Sequence, residues 1–554
     1  MRRIAVLGSA LGLSVLLAAC SSTGDEDTGE DEGAATAGTL SYVGKQVVAA
    51  LSDRSPSEQG KTWNLSRGNK LADSFVLQVP LAETWGKDDV RVATRCKATD
   101  ASCDPDFLLT RCASDSDCGQ GGRCAALKAT VAHRNDQPKK LCIGHSDTLL
   151  DEVWSAVALA KDTVDMSSLT PPEDRFQAAV RNAVTYASEA QKPPRIRMLF
   201  GDFPGGHVSG QKTLDTLTRD VAASSRIEVA VGTYREGVDS WNHSKIVVRD
   251  QSYAIVGGTN MWDEHYLKRN PVHDLWMNLE GRAARDASRF LDNLWVHACG
   301  KSGMPVVDSR VVASRPEPQK CPDPIDRPND DGVGGTPIIS MGRLGAVGAN
   351  TSDQGLVALA GAAKKSIRLS QQDIGPVKRV GVSFAPWPEE LMTAMVGAMA
   401  RGVDVSFVLS NPKSVPGNVS AVEAYFNTYD NGWSLVDVGK KFVAIAAAHP
   451  EVLGGQDAAT LVCSKLKLMN LRMGDRETWP SGATYANHAK VMVVDDRAFY
   501  LGSQNTYVAN LAEFGMVVDD AAATQRFIRD YLEPAERWSK RTTIGGSASA
   551  CPYR

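Results

Sequence analysis

An eight-residue pattern occurs twice in this 554-residue chain, and this repetition constrains the fold more than any other feature. The pattern reads His-x-Lys-x-x-x-x-Asp and occupies residues 243–250 and 488–495. Each copy is followed by a glycine-containing turn that ends in asparagine, at residues 257–260 and 502–505. Because the whole local context recurs, the sequence predicts two related halves that build one shared active site.

The repetition extends to the helices and strands around each motif. Each half has a helix that leads into a strand, a second helix with an apolar stripe, a short apolar strand, the motif strand and a terminal helix. The matching segments are 156–161 and 359–364, 163–167 and 366–370, 176–184 and 391–399, 196–200 and 403–409, and 287–297 and 524–538. Alternating strands and helices predict the α/β fold class, with one α/β sandwich lobe for each half.

Shifts in composition suggest the domain boundaries, and the length of the chain is sufficient for two hydrophobic cores. The predicted order is a signal peptide at 1–20, an acidic disordered tether at 21–38, a first lobe at 39–310, a linker at 311–340 and a second lobe at 341–545. The first lobe contains a cysteine-rich insert at 96–142, and the second lobe carries an insertion within residues 412–480.

The first twenty residues have the organisation of an export signal. Arg2 and Arg3 precede an apolar run at 4–16 that is short for a membrane span. The sequence Leu-Ala-Ala-Cys ends at Cys20 and resembles a bacterial lipobox, with an ordinary secretory signal as the alternative. A lipid on Cys20 holds a protein at a bilayer by burying CH₂ groups. We therefore expect an exported, lipid-anchored bacterial protein at the outer membrane, the periplasm or the cell surface, and Ser21 favours the outer membrane.

Cysteine usage and charge agree with this location. Of the eleven cysteines, ten remain without Cys20, and six of these lie in the insert at 96–142. No Cys-x-x-Cys pair occurs, so disulfides are expected rather than a zinc ribbon, with their connectivity left open. The net charge of −4 disfavours the broad basic surface that non-specific nucleic-acid binding requires.

The two motifs together supply side chains that suit a phosphodiester. Alternate residues of a strand face the same side, so the histidine and lysine of each motif project together. Two halves face to face then form a pocket of two imidazoles, two ammonium groups and two amides: His243, His488, Lys245, Lys490, Asn260 and Asn505. The cations and amides suit the oxygens of an anion, while one imidazole attacks phosphorus and the other transfers protons. Because fixed positive charge is already present, no metal or other cofactor is expected.

Further residues support this set. A neutral, nucleophilic imidazole needs a carboxylate on its other nitrogen, and Asp274 and Glu513 hold matching positions downstream of the two motifs. The remaining motif residues are predicted to be structural, the aspartates by holding turns and the small residues by letting the backbone pass closely. They are Asp250, Asp495, Gly257, Gly258, Gly502 and Ser503.

These paired motifs resemble those of the phospholipase D (HKD) superfamily, and most of all the secreted actinomycete-type bacterial phospholipases D. The segments that carry the likeness are 240–245, 256–262, 370–373, 485–490 and 498–505. The resemblance implies a two-lobed fold with a pseudo-twofold axis and a phosphohistidine intermediate. It makes His243 the nucleophile and His488 the general acid and base. Glu513 departs from the family pattern, in which aspartate is usual, and so do the lipid anchor, the tether and the cysteine-rich insert.

The resemblance also implies a substrate class, and two alternative functions remain possible from the sequence. It implies hydrolysis of phosphatidylcholine-like lipids, with transfer to alcohols as a side activity. The protein is expected to act as a monomer at a membrane surface. One rival is an endonuclease of the same fold, which the charge balance and the lipobox disfavour. The other is a non-catalytic envelope protein, which the complete set of paired histidines, lysines and asparagines disfavours.

Overall fold

The computed structural model describes most of the chain after the predicted tether. The described residues are 38–87, 93–119, 122–203, 208–237, 239–300, 307–310, 324–325, 332–379, 382–383, 386–414 and 429–554. Three predicted segments lie wholly or mostly outside these residues. They are the signal peptide with Cys20, the tether except for its last residue, and most of the linker.

The helices and strands alternate as the sequence predicts. The described helices are α1 (Tyr42–Arg54), α2 (Thr148–Ala158), α3 (Asp174–Ser188), α4 (Gly210–Thr218), α5 (Asp263–Tyr266), α6 (Ala283–Gly300), α7 (Thr351–Gly361), α8 (Glu389–Ala400), α9 (Leu435–Ala448), α10 (Ala458–Lys465), α11 (Ala521–Phe527) and α12 (Glu533–Ser539), with a π-helical turn at Ile528–Leu532. Short 3-10 helices lie at Pro56–Glu58, Ala82–Thr84, Asp115–Cys118, Lys128–Thr130, Gly345–Val347, Pro450–Val452 and Lys540–Thr542.

The described strands form two large sheets and three small two-stranded ones. The strands are β1 (Trp63–Asn69), β2 (Val76–Val79), β3 (Cys103–Asp104), β4 (Leu109–Thr110), β5 (Arg123–Leu127), β6 (Lys139–Ile143), β7 (Thr163–Ser168), β8 (Arg195–Gly201), β9 (Glu228–Glu236), β10 (Ser240–Trp241), β11 (Ile246–Arg249), β12 (Tyr253–Gly257), β13 (Asp274–Glu280), β14 (Val307–Arg310), β15 (Thr336–Leu344), β16 (Ser366–Gln371), β17 (Lys378–Arg379), β18 (Val382–Ser383), β19 (Asp404–Leu409), β20 (Leu466–Asn470), β21 (Lys490–Val494), β22 (Ala498–Gly502), β23 (Ala512–Val518) and β24 (Ile544–Gly545).

The two large sheets share the order of their central strands, which confirms the predicted α/β fold of two related lobes. The first sheet runs β10-β9-β8-β7-β11-β12-β13-β2, with β14 also paired to β9. The second runs β24-β20-β19-β16-β21-β22-β23-β15-β1. In each sheet the three strands before the motif are parallel, and the motif strand pairs antiparallel with the first of them. Each motif strand, β11 or β21, therefore lies at the centre of its sheet.

The sheets share one hydrophobic core. A single cluster of buried side chains contains Val256 and Met277 from the first sheet together with Val491 and Leu501 from the second. Burying apolar surface from both sheets in one cluster holds the two lobes together, since separating them would expose these side chains to water. The motif strands are thus held in a defined relative position.

The N-terminal segment joins the second lobe, although the sequence analysis assigned residues 39–310 to the first. Strand β1 pairs antiparallel with β15, and α1 packs in the same cluster as residues of the second sheet. Trp63 and Val47 are fully or almost fully buried there. The second sheet thereby gains an edge strand from a part of the chain that precedes the entire first lobe.

The cysteine-rich insert is stapled by disulfides, as predicted. Its pairs are Cys96–Cys103, Cys112–Cys124 and Cys118–Cys142, and Cys463–Cys551 links the second lobe to the C-terminal segment. Three of the insert sulfur atoms, those of Cys112, Cys118 and Cys124, lie within metal-ligating distance of one another. All three are bonded in disulfides, so they are not available as thiolate ligands.

No helix within the described part of the chain combines the length and the apolar character needed to cross a membrane.

Candidate active site

Hydrogen bonds between the lobes bring the two motif histidines together. The backbone N–H of His243, just before β11, donates to the carbonyl oxygen of Ala512 at 2.8 Å. The backbone N–H of His488, just before β21, donates to the carbonyl oxygen of His273 at 2.7 Å. The neighbouring residues Asn242 and Asn487 form parallel bridges to the same two segments. Each motif is therefore tied to the strand that follows the glycine turn of the opposite lobe.

The two imidazole rings face each other across the lobe boundary. Their centroids lie 6.5 Å apart, and the ring planes are inclined by 83°. Only 7% of His243 and 5% of His488 is exposed to solvent. This separation leaves space between the rings for one tetrahedral phosphoryl group in contact with both.

Each histidine is held by a carboxylate from the opposite lobe. His243 Nδ1 lies 2.7 Å from Glu513 Oε1, and His488 Nδ1 lies 2.6 Å from Asp274 Oδ2. The sequence predicts both acids without assigning their partners, and the structure pairs them in a crossed arrangement. A carboxylate on Nδ1 selects the tautomer that carries its proton there, which leaves Nε2 of each ring for chemistry.

The two carboxylates have different second contacts, which the sequence analysis did not identify. Glu513 Oε2 lies 3.3 Å from Arg343 Nη1, and Arg343 also donates to Asp353 through Nη2. Asp274 Oδ2 instead accepts a hydrogen bond of 3.0 Å from the hydroxyl of Tyr266. No pattern in the sequence connects Arg343 or Tyr266 to the motifs, because their roles depend on the packing of β15 and α5.

The two motif lysines are buried beside the histidines. Lys245 Nζ donates to the carbonyl oxygen of His243 at 2.6 Å, and Lys490 Nζ donates to that of His488. Burial lowers the pKa of Lys490 to about 8. Burial and the neighbouring Lys490 ammonium hold the pKa of Lys245 well below its ordinary value. Two cations without solvent around them favour the binding of an anion.

Burial also shifts the pKa values of the histidines and their acids. It lowers the pKa of both imidazoles well below 6.5, with the two motif lysines adding to the effect. It raises the pKa of Asp274 to about 6 and that of Glu513 to about 7. Arg343 opposes the rise at Glu513 by stabilising its charged form. Without a bound anion, the site thus favours neutral imidazoles.

Two asparagines that precede the histidines hold the motif backbones, a role that the sequence analysis missed. The amide nitrogen of Asn242 donates to the carbonyl oxygens of Ser168 and Leu199. That of Asn487 donates to the hydroxyl of Ser370 and to a carbonyl oxygen of β19. The repeated Asn-His-x-Lys order was the available signal, because the same residue stands before histidine in both copies.

The motif aspartates lie at the far end of their strands and hold turns. Asp250 accepts hydrogen bonds from the backbone N–H groups of residues 161, 162 and 163, at 2.8–3.1 Å. Asp495 accepts them from residues 364, 365 and 366, at 2.7 Å each. Both aspartates have a positive φ, of 49° and 53°. They join the end of each motif strand to the start of the neighbouring strand.

Small residues in the turns leave space for the site. A Cβ atom on Gly258 would lie 2.3 Å from Asp274 Oδ1 and 3.1 Å from Lys490 Cδ. A Cβ atom on Gly257 would lie 2.3 Å from a backbone oxygen, and a Cβ atom on Gly502 would lie 2.3 Å from the Tyr500 hydroxyl. The Ser503 hydroxyl accepts the N–H of Phe514 at 3.0 Å. The turns therefore pack directly against the Asp274 carboxylate and its strand.

The turn asparagines carry unused hydrogen-bonding atoms. Asn260 and Asn505 are 1% and 3% exposed, and the side-chain oxygen of each has no hydrogen-bond partner among the described residues. Asn505 Nδ2 donates to the hydroxyl of Tyr507. Buried polar atoms without partners are uncommon, and a bound ligand is one explanation for them.

The chain is similar to several known proteins. Phospholipase D from Streptomyces antibioticus is 29% identical over 461 residues, which are 73% of this chain and 79% of that protein. Phosphatidylserine synthase from Haemophilus influenzae Rd KW20 is a solved structure with 14% identity and a TM-score of 0.43, over 73% of this chain and 86% of that one. Nuc from Salmonella typhimurium, a phospholipase D family member, has 16% identity and a TM-score of 0.21, over 38% of this chain and 99% of that one. No family profile matches the chain.

Two α/β lobes that each contribute a histidine, a lysine and a crossed carboxylate define a phosphodiesterase of the two-motif type. The chain is also similar in sequence to a phospholipase D over most of the length of both proteins.

Proposed function

We propose that this protein is a phospholipase D that cleaves the head-group phosphodiester of phosphatidylcholine-like lipids. The observation that carries the proposal is the pair of imidazoles from opposite lobes, 6.5 Å apart, each with Nδ1 engaged by a carboxylate. Such a pair can act on both sides of one phosphorus atom. The products are phosphatidic acid and the free head-group alcohol.

In the first step, Nε2 of neutral His243 attacks phosphorus, and the bond from phosphorus to the head-group oxygen breaks. Protonated His488 gives its Nε2 proton to the departing oxygen, which leaves as the neutral alcohol. The phosphatidyl group is then bonded to His243, and His488 is neutral. Glu513 stabilises the positive charge that develops on the His243 ring through its 2.7 Å contact at Nδ1.

In the second step, His488 removes a proton from water, and the resulting hydroxide oxygen bonds to phosphorus. The bond from phosphorus to His243 breaks and returns that ring to its neutral form, while His488 is protonated again. An alcohol in place of water yields a new phosphodiester by the same route. Transfer to alcohols is therefore part of the proposal.

The buried charges support this assignment of roles. Bound phosphodiester brings a negative charge between Lys245 and Lys490, which offsets their repulsion of a protonated His488. Arg343 lies beside Glu513 and lowers the pKa of His243 further, whereas no arginine contacts Asp274 among the described residues. A less basic His243 suits the neutral nucleophile, and His488 suits the proton carrier.

We further propose that the protein acts as an exported monomer anchored by lipid on Cys20, at the outer membrane or cell surface. The lipobox-like sequence and the acidic tether support an anchor, and the disulfides support an oxidising compartment. An anchored enzyme meets its lipid substrate in the plane of the membrane. Globomycin treatment of expressing cells would leave the precursor uncleaved if Cys20 is the lipidated residue, and unchanged processing would remove this part of the proposal.

The deciding experiment incubates purified protein with phosphatidylcholine vesicles in the presence of ethanol. We expect free choline, phosphatidic acid and phosphatidylethanol, and we expect none of them from His243→Ala or His488→Ala. Release of nucleotides from DNA without any phosphatidic acid would instead indicate a nuclease. No turnover of either substrate would indicate a non-catalytic protein.

A further inference from the structure

A cavity of about 350 Å³ lies beside the turn that follows the second motif. Apolar side chains line part of it, among them Leu356 of α7, Leu391 of α8 and Trp387 just before α8. Asp353, Glu390 and Gln504 also line it. The cavity is distinct in composition from the catalytic centre, because neither motif histidine nor motif lysine is among its lining residues.

Gln504 presents an unused acceptor in this cavity. The residue is 2% exposed, and its Nε2 donates to Asp353 Oδ1 at 2.5 Å. This bond sets the orientation of the amide, because the reverse orientation would place two oxygens against each other. Oε1 has no hydrogen-bond partner among the described residues. A buried acceptor of this kind is available to a ligand that donates a hydrogen bond.

The charges around the cavity favour a cation. Asp353 and Glu389 contribute carboxylates that already have basic partners, Arg343 and Lys441. Glu390 is exposed and forms no ion pair with any described residue. No lysine or arginine is among the described lining residues, and the two basic partners are already engaged by Asp353 and Glu389, so the unpaired Glu390 leaves the lining with a net negative charge that disfavours an anion.

Trp387 adds an aromatic surface to these carboxylates. The residue is half-buried, and Lys441 Nζ lies 5.8 Å from its ring centroid, within the range of a cation–π contact. Trp433 packs against Trp387 at 4.8 Å between ring centroids and restrains its orientation. An indole and an unpaired glutamate that line the same cavity suit ammonium groups with methyl or methylene substituents.

We propose that this cavity binds a small alcohol that carries an ammonium group. The hydroxyl donates to Gln504 Oε1, the ammonium group lies against Trp387 and Glu390, and the carbon atoms contact Leu356 and Leu391. A free alcohol is favoured over its phosphate ester, since no basic side chain among the described lining residues neutralises a phosphate. The inference goes beyond the proposed function and does not require the protein to be a lipase.

The test is calorimetric titration of choline into the full chain and into His243→Ala, which removes any contribution from turnover. We expect the same dissociation constant for both. Glu390→Gln and Trp387→Leu should each weaken binding by about fivefold to tenfold. Glu228→Gln, a change at an exposed glutamate of the first lobe, is the matched control and should leave binding unchanged.

Two related ligands identify the chemistry. The neutral isostere 3,3-dimethylbutan-1-ol should bind at least about tenfold more weakly than choline, because it lacks the positive charge. Glycerophosphocholine should also bind at least about tenfold more weakly, because its phosphate meets carboxylates. Equal binding of the neutral isostere would mean a purely apolar cavity and would overturn the proposal. Choline binding that neither Glu390→Gln nor Trp387→Leu changes, or no choline binding at all, would overturn it as well.

Discussion

The crossed pairing of histidines and carboxylates makes a prediction that separates the two halves of the reaction. In a His488→Asn background, the general acid is absent and only attack by His243 remains. Adding Glu513→Gln should then slow formation of the phosphohistidine, whereas adding Asp274→Asn should have little effect. The reason is that Asp274 contacts His488, which this background lacks, while Glu513 contacts His243, the proposed nucleophile.

The expected size of the effect follows from the contact. Glu513 Oε1 lies 2.7 Å from His243 Nδ1, and the carboxylate is 1% exposed, so solvent does not replace it. A hydrogen bond to a charged group contributes about 1.5–3 kcal/mol. Since about 1.4 kcal/mol is a factor of ten in rate, Glu513→Gln should slow adduct formation by about 10- to 150-fold.

The assay uses phosphatidyl-p-nitrophenol in rapid-mixing experiments. Nitrophenolate leaves without a proton, so its burst reports attack by His243 even when His488 is replaced. Intact-protein mass spectrometry should locate the adduct on His243. A burst that Asp274→Asn slows as much as Glu513→Gln would refute the crossed assignment, and an adduct on any other residue would refute the choice of nucleophile.

Three further predictions concern pH, metals and stability. The pH profile of kcat/KM should be bell-shaped. Activity is lost as the pH falls through about 7 and then about 6, because Glu513 and then Asp274 become protonated and release the histidines. Activity is also lost as the pH rises through about 8, because Lys490 loses its charge. A monotonic profile between pH 5 and pH 9 would contradict this. EDTA should leave the rate unchanged, because lysines supply the positive charge; a rate restored only by a divalent ion would contradict it. Asp250→Ala and Asp495→Ala should each destabilise the fold by about 3 kcal/mol, measured by urea unfolding, because three backbone N–H groups lose their acceptor in each. Loss of activity at unchanged stability would instead place these aspartates in the catalytic chemistry.

The sequence was sufficient to predict the fold class and to name the paired histidines and carboxylates that the structure brings together. A motif that recurs with its glycine turn, its asparagine and its downstream acid can be recognised without coordinates, because each requirement is local in the chain. The alternation of helices and strands is local as well, and it is confirmed by the two sheets, which share the order of their central strands. The even number of cysteines beyond Cys20 predicted disulfides from composition alone, whereas their pairing had to come from the structure.

Tertiary structure decided which groups act together. Glu513 serves His243, and Asp274 serves His488, because parallel bridges tie Asn242 to Ala512 and His273 to Asn487 across the lobes. These contacts join residues more than two hundred positions apart, and no local pattern specifies such a register. The placement of α1 and β1 in the second lobe, and of Arg343 beside Glu513, depends on the same long-range pairing of strands. Local sequence periodicity determines which elements form, whereas the burial of a core shared by both sheets determines which side chains meet.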